Sequence, residues 1–386
     1  MNEFGCAMGN NTMKRLGIFI FYDKDGVVDR YIEFLLHSLK EVTDRLVIVV
    51  NGLINSEGIE QLELISNDII YRDNKGYDAG GYRTALLRDV GSKELQKYDE
   101  LILCNDTCYG PFVPLPVIWD KMDQKDGDFW GINCIVNELT SHMQAYFLVF
   151  RKRLLENGFL YRFFEKNINE ECDDIREIVA VFEKGLFKEL TESGYKAVTY
   201  IENNNLNAYI CGNKLLKEYG FPFLKKKCFD ERYNDNLYSA IDSVQWIADN
   251  TSYDVDMILE NAKRLFGFTY SGAGILSQEE KVIYGPVFSI SADMLNSFIN
   301  KADRLYIYGC GAYAKEIYHL YVKESGKLKA FVVSDNKEEN GTDLYGYPII
   351  NISDLEIDAP LIVALSKKNT AEVRENIKQK NVIYLF

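Results

Sequence analysis

The stretch LILCNDTCYGPF, residues 101–112, ends an apolar run on two polar side chains, Asn105 and Asp106. A carboxylate delivered to the rim of a sheet can ligate Mg²⁺ or Mn²⁺, hard cations that take oxygen ligands and bridge to phosphate oxygens. Asp106 alone is a modest ligand set, and Thr107, water and a diphosphate would have to complete it. The structural alternative is an Asx-type cap on the turn before Tyr109-Gly110-Pro111. A second stretch, NKGYDAGGYRTAL, spans Asn74 to Leu86 and carries Gly76, Gly80 and Gly81 ahead of a helix. Such glycines let backbone approach a ligand, and the helix offers free N–H groups at its positive end. The loop then holds a nucleotide or sugar, with Asp78 and Arg83 as arms, or it is only a tight turn that packs closely; the residues allow both. A third, GCGAYA, fits the dinucleotide fingerprint GxGxxA at Gly309 and Gly311, with Asp335 ending the next strand where a ribose-binding acid belongs. A turn of this type also serves purely for packing a helix on a sheet.

The elements that must position these residues alternate between short apolar runs and amphipathic stretches, the rhythm of an α/β fold. LGIFIF (16–21) is continuous rather than alternating, as in a strand covered on both faces. DRYIEFLLHSLKEV (29–42) sets Ile32, Leu35, Leu36 and Leu39 on one helical face, with Asp29 as N-cap. RLVIVVNG, NDIIYRDN and YDELILC read as further strands, DAGGYRTALLRDV as a helix, and DFWGIN and QAYFLVF as two more strands. Helical pattern then dominates from Arg151 to Thr191. Strand–helix–strand units imply a mostly parallel sheet with right-handed crossovers, whose ligands sit at the carboxyl ends of strands. Phe21-Tyr22-Asp23, Asn74 to Arg83, and Asn105-Asp106 all fall at such ends and form one candidate site. Periodicity weakens between Arg264 and Ala302. A strand, glycine turn and helix then begin afresh, followed by KAFVVSDN, YPIIN, APLIVALS and NVIYLF as strands. The expected organisation is therefore a large α/β domain over 14–265, a connection over 266–301, and a small Rossmann-like domain over 302–386.

A chain of 386 residues with 47% hydrophobic and 26% charged residues is globular and long enough for two cores. No run approaches the roughly 18 consecutive apolar residues a membrane span needs, and the first residues lack a signal-peptide h-region, so the expected location is the cytosol. The net charge of −14 argues against nucleic acid. Eight cysteines without a CxxC fit reduced thiols, and with three histidines in the chain a zinc site at Cys104 and Cys108 is not expected. Lys225-Lys226-Lys227 is a local basic patch, or a solvated loop or helix end.

The order LGIFIFYD, RDNKGYDAGGYRTAL, YDELILCNDTCYGPFVPL, DFWGI, SHMQAYFLVFRKRLL, IREIVAVFEKGLFKELTESGY and FPFLKKKCF resembles the rhamnan synthesis protein F family over roughly Lys14 to Leu265. The resemblance implies a bacterial polysaccharide glycosyltransferase of GT-A type, with a DxD carboxylate pair after a central strand. Here Asn105-Asp106-Thr107 stands in that position, one acid short. By the same resemblance Tyr22 and Asp23 hold the base and ribose; Asn74, Gly76, Asp78 and Arg83 hold the diphosphate and sugar, with Asn105 also on the donor and Asp106 on a Mg or Mn cation. Glu183 is the first candidate for the general base and Asp128 the second; His142 and Gln144 line the acceptor side, and Lys226 offsets leaving-group charge. The donor implied is a dTDP-sugar, L-rhamnose by family likeness. The acceptor implied is a cell-surface or lipid-linked glycan, reached through a peripheral association with the inner face of the membrane or with a biosynthetic complex. The C-terminal segment is similar to the nucleotide-sugar-binding module at the front of sugar O-acetyltransferases; at about 85 residues it is too short for a full six-stranded dinucleotide fold, which favours binding without chemistry, or docking to a partner, over hydride transfer with NAD. The rivals are a non-catalytic nucleotide-sugar-binding protein and an NAD-dependent oxidoreductase.

Overall fold

The computed structural model describes residues 13–135, 141–202, 206–209, 211–230, 237–268, 292–335, 341–365 and 367–385. The chain divides into two compact units, Met1–Asn204 and Asn205–Phe386.

In the first unit, β1 (Arg15–Phe21) is buried at every position after Arg15. α1 (Arg30–Val42) follows, placing Tyr31, Ile32, Leu35, Leu36, Leu39 and Val42 inward; Asp29 stands at its N-cap without a side-chain capping bond. β2 (Arg45–Asn51) leads to α2 (Ser56–Ile65), a helix that the sequence reading passes over although Asn55 caps it by accepting from the Gly58 N–H at 2.7 Å. β3 (Asp68–Arg72) then delivers α3 (Tyr77–Thr84), which runs on into a π turn, Ala85–Val90. β4 (Glu100–Asn105) is buried at all six residues. After α4 (Leu115–Asp123) come β5 (Phe129–Gly131), the short ladder of β6 (Cys134–Ile135) with β7 (His142–Met143), and β8 (Phe147–Arg151). α5 (Phe159–Asn167) precedes α6, a helix running from Ile175–Ile178 through a π turn, Val179–Gly185, to Leu186–Glu192. β9 (Ala197–Thr199) completes a seven-stranded sheet of order β9-β5-β8-β4-β1-β2-β3. Every neighbouring pair is parallel except those of β8, which is antiparallel to both β4 and β5.

The amino end of β4 carries a buried charge. Glu100 is 0% exposed, and its Oε2 accepts from Arg15 Nε and Trp119 Nε1, each at 2.7 Å, while Arg151 Nε lies 3.5 Å from Oε1. A carboxylate this deep is tolerated only because two guanidinium groups and an indole N–H surround it.

In the second unit, α7 (Gly212–Tyr219), α8 (Leu237–Asn250) and α9 (Asp256–Phe266) precede α10 (Ala292–Lys301). The strands that follow are β10 (Leu305–Tyr308), β11 (Leu328–Val333), β12 (Asp343–Leu344), β13 (Tyr347–Asn351), β14 (Leu361–Val363) and β15 (Val382–Tyr384), with α11 (Ala312–Ile317) after β10. Their order in the sheet is β12-β13-β11-β10-β14-β15, parallel apart from β12. Leu295 and Ile299 of α10 lie in the same core as Ile307 and Phe331, so the end of the stretch read as a connection is a helix packed on this sheet. Most of GFTYSGAG lies outside the described residues.

Together these elements give the mixed α/β architecture read from the sequence, a large mostly parallel sheet with flanking helices and a second, smaller parallel sheet.

Candidate functional site

Three parallel strands, β1, β2 and β3, and the central β4 all deliver polar residues to one edge, the carboxyl edge of the first sheet. At the exit of β1, Tyr22 is 43% exposed, whereas Asp23 is buried and its Oδ1 accepts from the N–H groups of Asp25 (2.9 Å) and Val27 (3.1 Å). At the exit of β2, Asn51 is buried, donating Nδ2 to the Tyr77 carbonyl at 2.9 Å and accepting from Arg72 Nη1 at 2.8 Å. A methyl group on the next residue, Gly52, would meet Asn74 Cβ and Tyr22 Cε2 at 3.7 Å each, which places both side chains around that turn.

β3 leads into the glycine-rich turn. Gly76 (φ +65°) and Tyr77 (φ +52°) are both left-handed. For tyrosine that conformation costs about 1–3 kcal/mol and persists only where neighbours hold it. Here Asn51 holds the Tyr77 carbonyl, and the Tyr77 hydroxyl donates to the Asp173 carbonyl at 2.9 Å. Gly80 and Gly81 serve close packing: a Cβ on Gly80 would sit 2.6 Å from the Lys75 carbonyl oxygen, and one on Gly81 2.8 Å from Ile20 Cδ1. Gly80→Ala is therefore expected to cost about 1–3 kcal/mol through overpacking, read as a lower midpoint in urea unfolding. An unchanged midpoint would mean that α3 can lift off its turn at no cost.

α3 brings Asp78 to the end of β4. Asn105 donates Nδ2 to Asp78 Oδ2 at 3.1 Å, and its own Oδ1 accepts from the Thr107 N–H (3.3 Å) and hydroxyl (2.6 Å). The Asx turn foreseen at this position thus coexists with a tertiary bond. Asp106 follows, 7% exposed; its N–H donates to the Ile20 carbonyl at 3.2 Å, and its carbonyl accepts from the Tyr31 hydroxyl at 3.1 Å. Burial pushes the Tyr31 phenol well above its ordinary pKa, and the charge of Asp106 pushes the same way. Tyr82 behaves alike, raised first by burial and then by Asp78, Cys104 and Asp106. Its hydroxyl is buried with no hydrogen-bond partner among the described residues.

The antiparallel strand β8 closes the edge on the other side of β4. The Tyr146 carbonyl accepts from the Asn105 N–H at 3.2 Å, and the Ala145 N–H donates to Glu183 Oε1 at 3.4 Å. Glu183 sits in the π turn of α6, where Phe182 packs against Tyr82 with ring centroids 5.6 Å apart. π turns inside helices recur at functional sites because they re-aim side chains. A buried network backs this corner: the Tyr146 hydroxyl donates to Asn133 Oδ1 at 2.7 Å and Asn133 Nδ2 to Gln144 Oε1 at 3.0 Å.

The model of the family described as "Rhamnan synthesis protein F" matches residues 46–278, more than half of the chain. The chain belongs to the rhamnan synthesis protein F family. It is 28% identical over 127 residues to "Virulence protein VirA" of Vibrio anguillarum, a match covering 33% of this chain and 40% of the relative, so the chain spans well under two thirds of that protein's length. Solved structures resemble it only distantly. Glucosyl-3-phosphoglycerate synthase from Mycobacterium tuberculosis is 12% identical at a TM-score of 0.25, covering 40% of this chain and 66% of that one. A protein of Desulfovibrio desulfuricans G20 described as a nucleotide-diphospho-sugar transferase is 12% identical at 0.30, covering 61% and 98%. Likenesses at these scores carry no detail of the site.

Against the expectations for a rhamnan synthesis protein F chain, the structure gathers Tyr22, Asp23, Asn74, Gly76, Asp78, Asn105, Asp106 and Glu183 at one edge. It moves two residues away from it. Arg83 lies five positions beyond Asp78, about 140° round the helix, and its Nη1 is 3.1 Å from Glu170 Oε2. Glu170 also pairs with Arg88 and accepts from the Thr84 hydroxyl, beside a cavity of about 440 Å³ lined by Arg72, Lys75 and Arg88. Asp128 precedes β5 at its amino end. Phe129 faces Phe150, which faces Leu101 on β4, so Asp128 is level with the base of β4 rather than with Asn105. Its Oδ2 accepts from the Lys196 N–H (2.8 Å) and Arg153 Nη1 (2.9 Å), a structural role that removes it as a candidate base.

Two expected acceptor-side residues are near the corner but differ in availability. His142 is half-buried in the ladder opposite Ile135, and Gln144 is 6% exposed and bonded to Asn133. Lys226 belongs to the second unit, where it opens a 3₁₀ turn; the flanking Lys225 and Lys227 ammonium groups lie 5.3 and 5.8 Å from the Tyr209 ring. Gly309 and Gly311 line a cavity of about 720 Å³ with Lys315, Ser334, Asn369 and Glu372 at the carboxyl ends of β10, β11 and β14. Gly309 has φ +115°, and a Cβ there would meet the Ala364 carbonyl oxygen at 2.9 Å, so only glycine fits. Asp335 is exposed, accepts from the Ser353 N–H at 3.2 Å, and is not among the residues lining that cavity.

Residues that the sequence reading missed are Tyr31, Asn51, Tyr82, Asn133 and Tyr146. The aromatic ones read as core, whereas Asn51 and Asn133, polar near the ends of the runs RLVIVVNG and DFWGIN like Asn105, carried a visible signal. Among the described residues no three His, Cys, Asp or Glu side chains cluster closely enough to hold a metal ion by themselves. None of the described helices is long and apolar enough to cross a membrane.

Proposed function

We propose that this chain transfers a sugar, L-rhamnose from dTDP-L-rhamnose, to a cell-surface or lipid-linked glycan, with the donor at the carboxyl edge of β1 to β4. The observation that supports this most is the meeting of Asp106, the Asn105–Asp78 pair and Glu183 around one strand end in a chain of this family. Tyr22 offers an exposed ring for the base, and Asn74 a polar arm beside it. Mg²⁺ or Mn²⁺ suits Asp106 and Asp78 because such ions use one or two carboxylates and take the rest of their shell from phosphate oxygens and water. A bound cation would neutralise charge on the diphosphate. Glu183 takes the proton of the acceptor hydroxyl as that oxygen attacks the anomeric carbon and the bond to the diphosphate breaks on the opposite face. His142 faces the acceptor. The catalytic strategy is positioning with electrostatic stabilisation of the leaving group, and a GT-A-type arrangement of the first sheet accords with it. We assign the small C-terminal sheet a nucleotide-sugar ligand bound without chemistry in the cavity beside Gly309. The acceptor implies contact with the inner face of a membrane or with membrane-bound partners.

The test is to incubate the chain with dTDP-L-rhamnose and a rhamnose-containing acceptor glycan, with and without Mn²⁺, and follow the acceptor mass. Gain of one deoxyhexose with release of dTDP is the expected result. Binding without transfer under both conditions would favour a non-catalytic nucleotide-sugar-binding protein, and a melting temperature raised by NAD alone would sink the transferase reading.

A further inference from the structure

An acid at position 105 would give this strand end the usual pair of carboxylates, yet the chain places an amide there, and the hydrogen bonds say what the amide does. Asn105 uses both of its polar atoms within the protein: Oδ1 takes the Thr107 N–H and hydroxyl, and Nδ2 holds Asp78 Oδ2 at 3.1 Å. We infer that Asn105 is a positioning residue, which fixes the Asp78 carboxylate at the end of β4, so that the acidic pair facing the donor is Asp78 with Asp106. The inference rests on the donor-site reading of this edge. The second acid therefore comes from α3, 27 positions before Asn105. A carboxylate in place of the Asn105 amide would stand against Asp78 at hydrogen-bond distance, which cannot hold with both ionised. An amide is the one isosteric side chain that donates to Asp78 while still accepting from Thr107.

A further observation places both acids in one neighbourhood. The Tyr82 hydroxyl, wholly buried and without a hydrogen-bond partner among the described residues, lies in the field of Asp78 and of Asp106. The titratable groups that act on Tyr82, on the same helix as Asp78, are Asp78 itself and Cys104 and Asp106 at the end of β4; beyond them Tyr31 of α1 donates to the Asp106 carbonyl and Glu183 of α6 accepts from the Ala145 N–H.

Two experiments on the full chain decide the matter. The first melts wild type and Asn105→Asp between pH 5 and pH 8 with no ligand. In the variant, the introduced carboxyl group and Asp78 share a proton, so one folded-state pKa rises above its unfolded value; the stability that the shared proton gives is present at low pH and lost as pH rises through the raised value. The melting temperature of the variant relative to wild type should therefore drop by about 2–4 °C from pH 5 to pH 8. Parallel curves would overturn the Asn105–Asp78 bond. The second measures dTDP affinity in Mn²⁺ for Asn105→Ala, Asp78→Ala and the double variant. Each single change is expected to weaken binding by about 10- to 100-fold, as for a lost hydrogen bond to a charged group. The double variant should bind no worse than Asp78→Ala, because Asn105 acts through Asp78. Additive losses would mean that Asn105 contacts the donor itself and would overturn the positioning role. If dTDP fails to stabilise even the wild type, the donor-site reading fails, and the ligand-free melts still decide the bond.

Discussion

Glu183→Gln is expected to lower the rate of sugar transfer by about 10²- to 10⁴-fold, the usual worth of a general base, while leaving dTDP affinity within about twofold. Glutamine keeps a carbonyl oxygen to accept from the Ala145 N–H, the contact that Glu183 Oε1 makes at 3.4 Å, so the π turn of α6 stays seated. What it loses is the ability to take a proton. Measuring kcat and KM separately distinguishes the two roles: a base that acts only in the transition state lowers kcat and kcat/KM together. A variant with unchanged kcat would move the base to another residue, and one whose dTDP affinity collapses would make Glu183 part of the donor site.

Glu100→Ala should destabilise the first unit by about 3–5 kcal/mol, because it strands charges instead of removing a pair. Arg15, Trp119 and Arg151 all converge on this one carboxylate, which has no exposure to water. The expected fall in melting temperature is about 6–20 °C for a unit of this size. Trp119 reports the same event, since its indole N–H loses its acceptor, so its fluorescence should shift at the unfolding midpoint. A fall of less than about 2 °C would show that the two arginines find other partners or water at little cost. Because Glu100 lies at the amino end of β4 and the candidate site at the carboxyl end, donor affinity of the folded variant should match wild type.

The sheet itself was legible because its strands are continuous apolar runs, a pattern that parallel strands buried on both faces produce and few other elements do. LGIFIF, RLVIVV and ELILC each became a strand within one or two residues of the expected limits. The gathering of Tyr22, Asn74 and Asn105 at one edge followed from strand direction alone. What failed was information that depends on register or on the back of a helix. Asp128 looked like an acid near a site strand, but the antiparallel β8 fixes β5 so that this residue falls at the opposite edge. Arg83 shares a motif with Asp78 yet faces Glu170, as helical spacing could have warned. The Asn105–Asp78 bond was not readable, since nothing local to either residue says that α3 starts against the end of β4. Tyr77 in a left-handed conformation was equally hidden, held by Asn51 from a different strand. α2 was readable, through Asn55 at its cap, and was passed over because its face toward the core holds few large apolar residues.

The most direct measurement is a crystal structure of the chain with dTDP-L-rhamnose and Mn²⁺. The donor should lie at the carboxyl edge of β1 to β4, with its diphosphate beside Asp106 and Asp78, its base against Tyr22, and its anomeric carbon open toward Glu183. Donor bound only in the cavity beside Gly309, with the end of β4 empty, would contradict the assignment of this edge as the donor site.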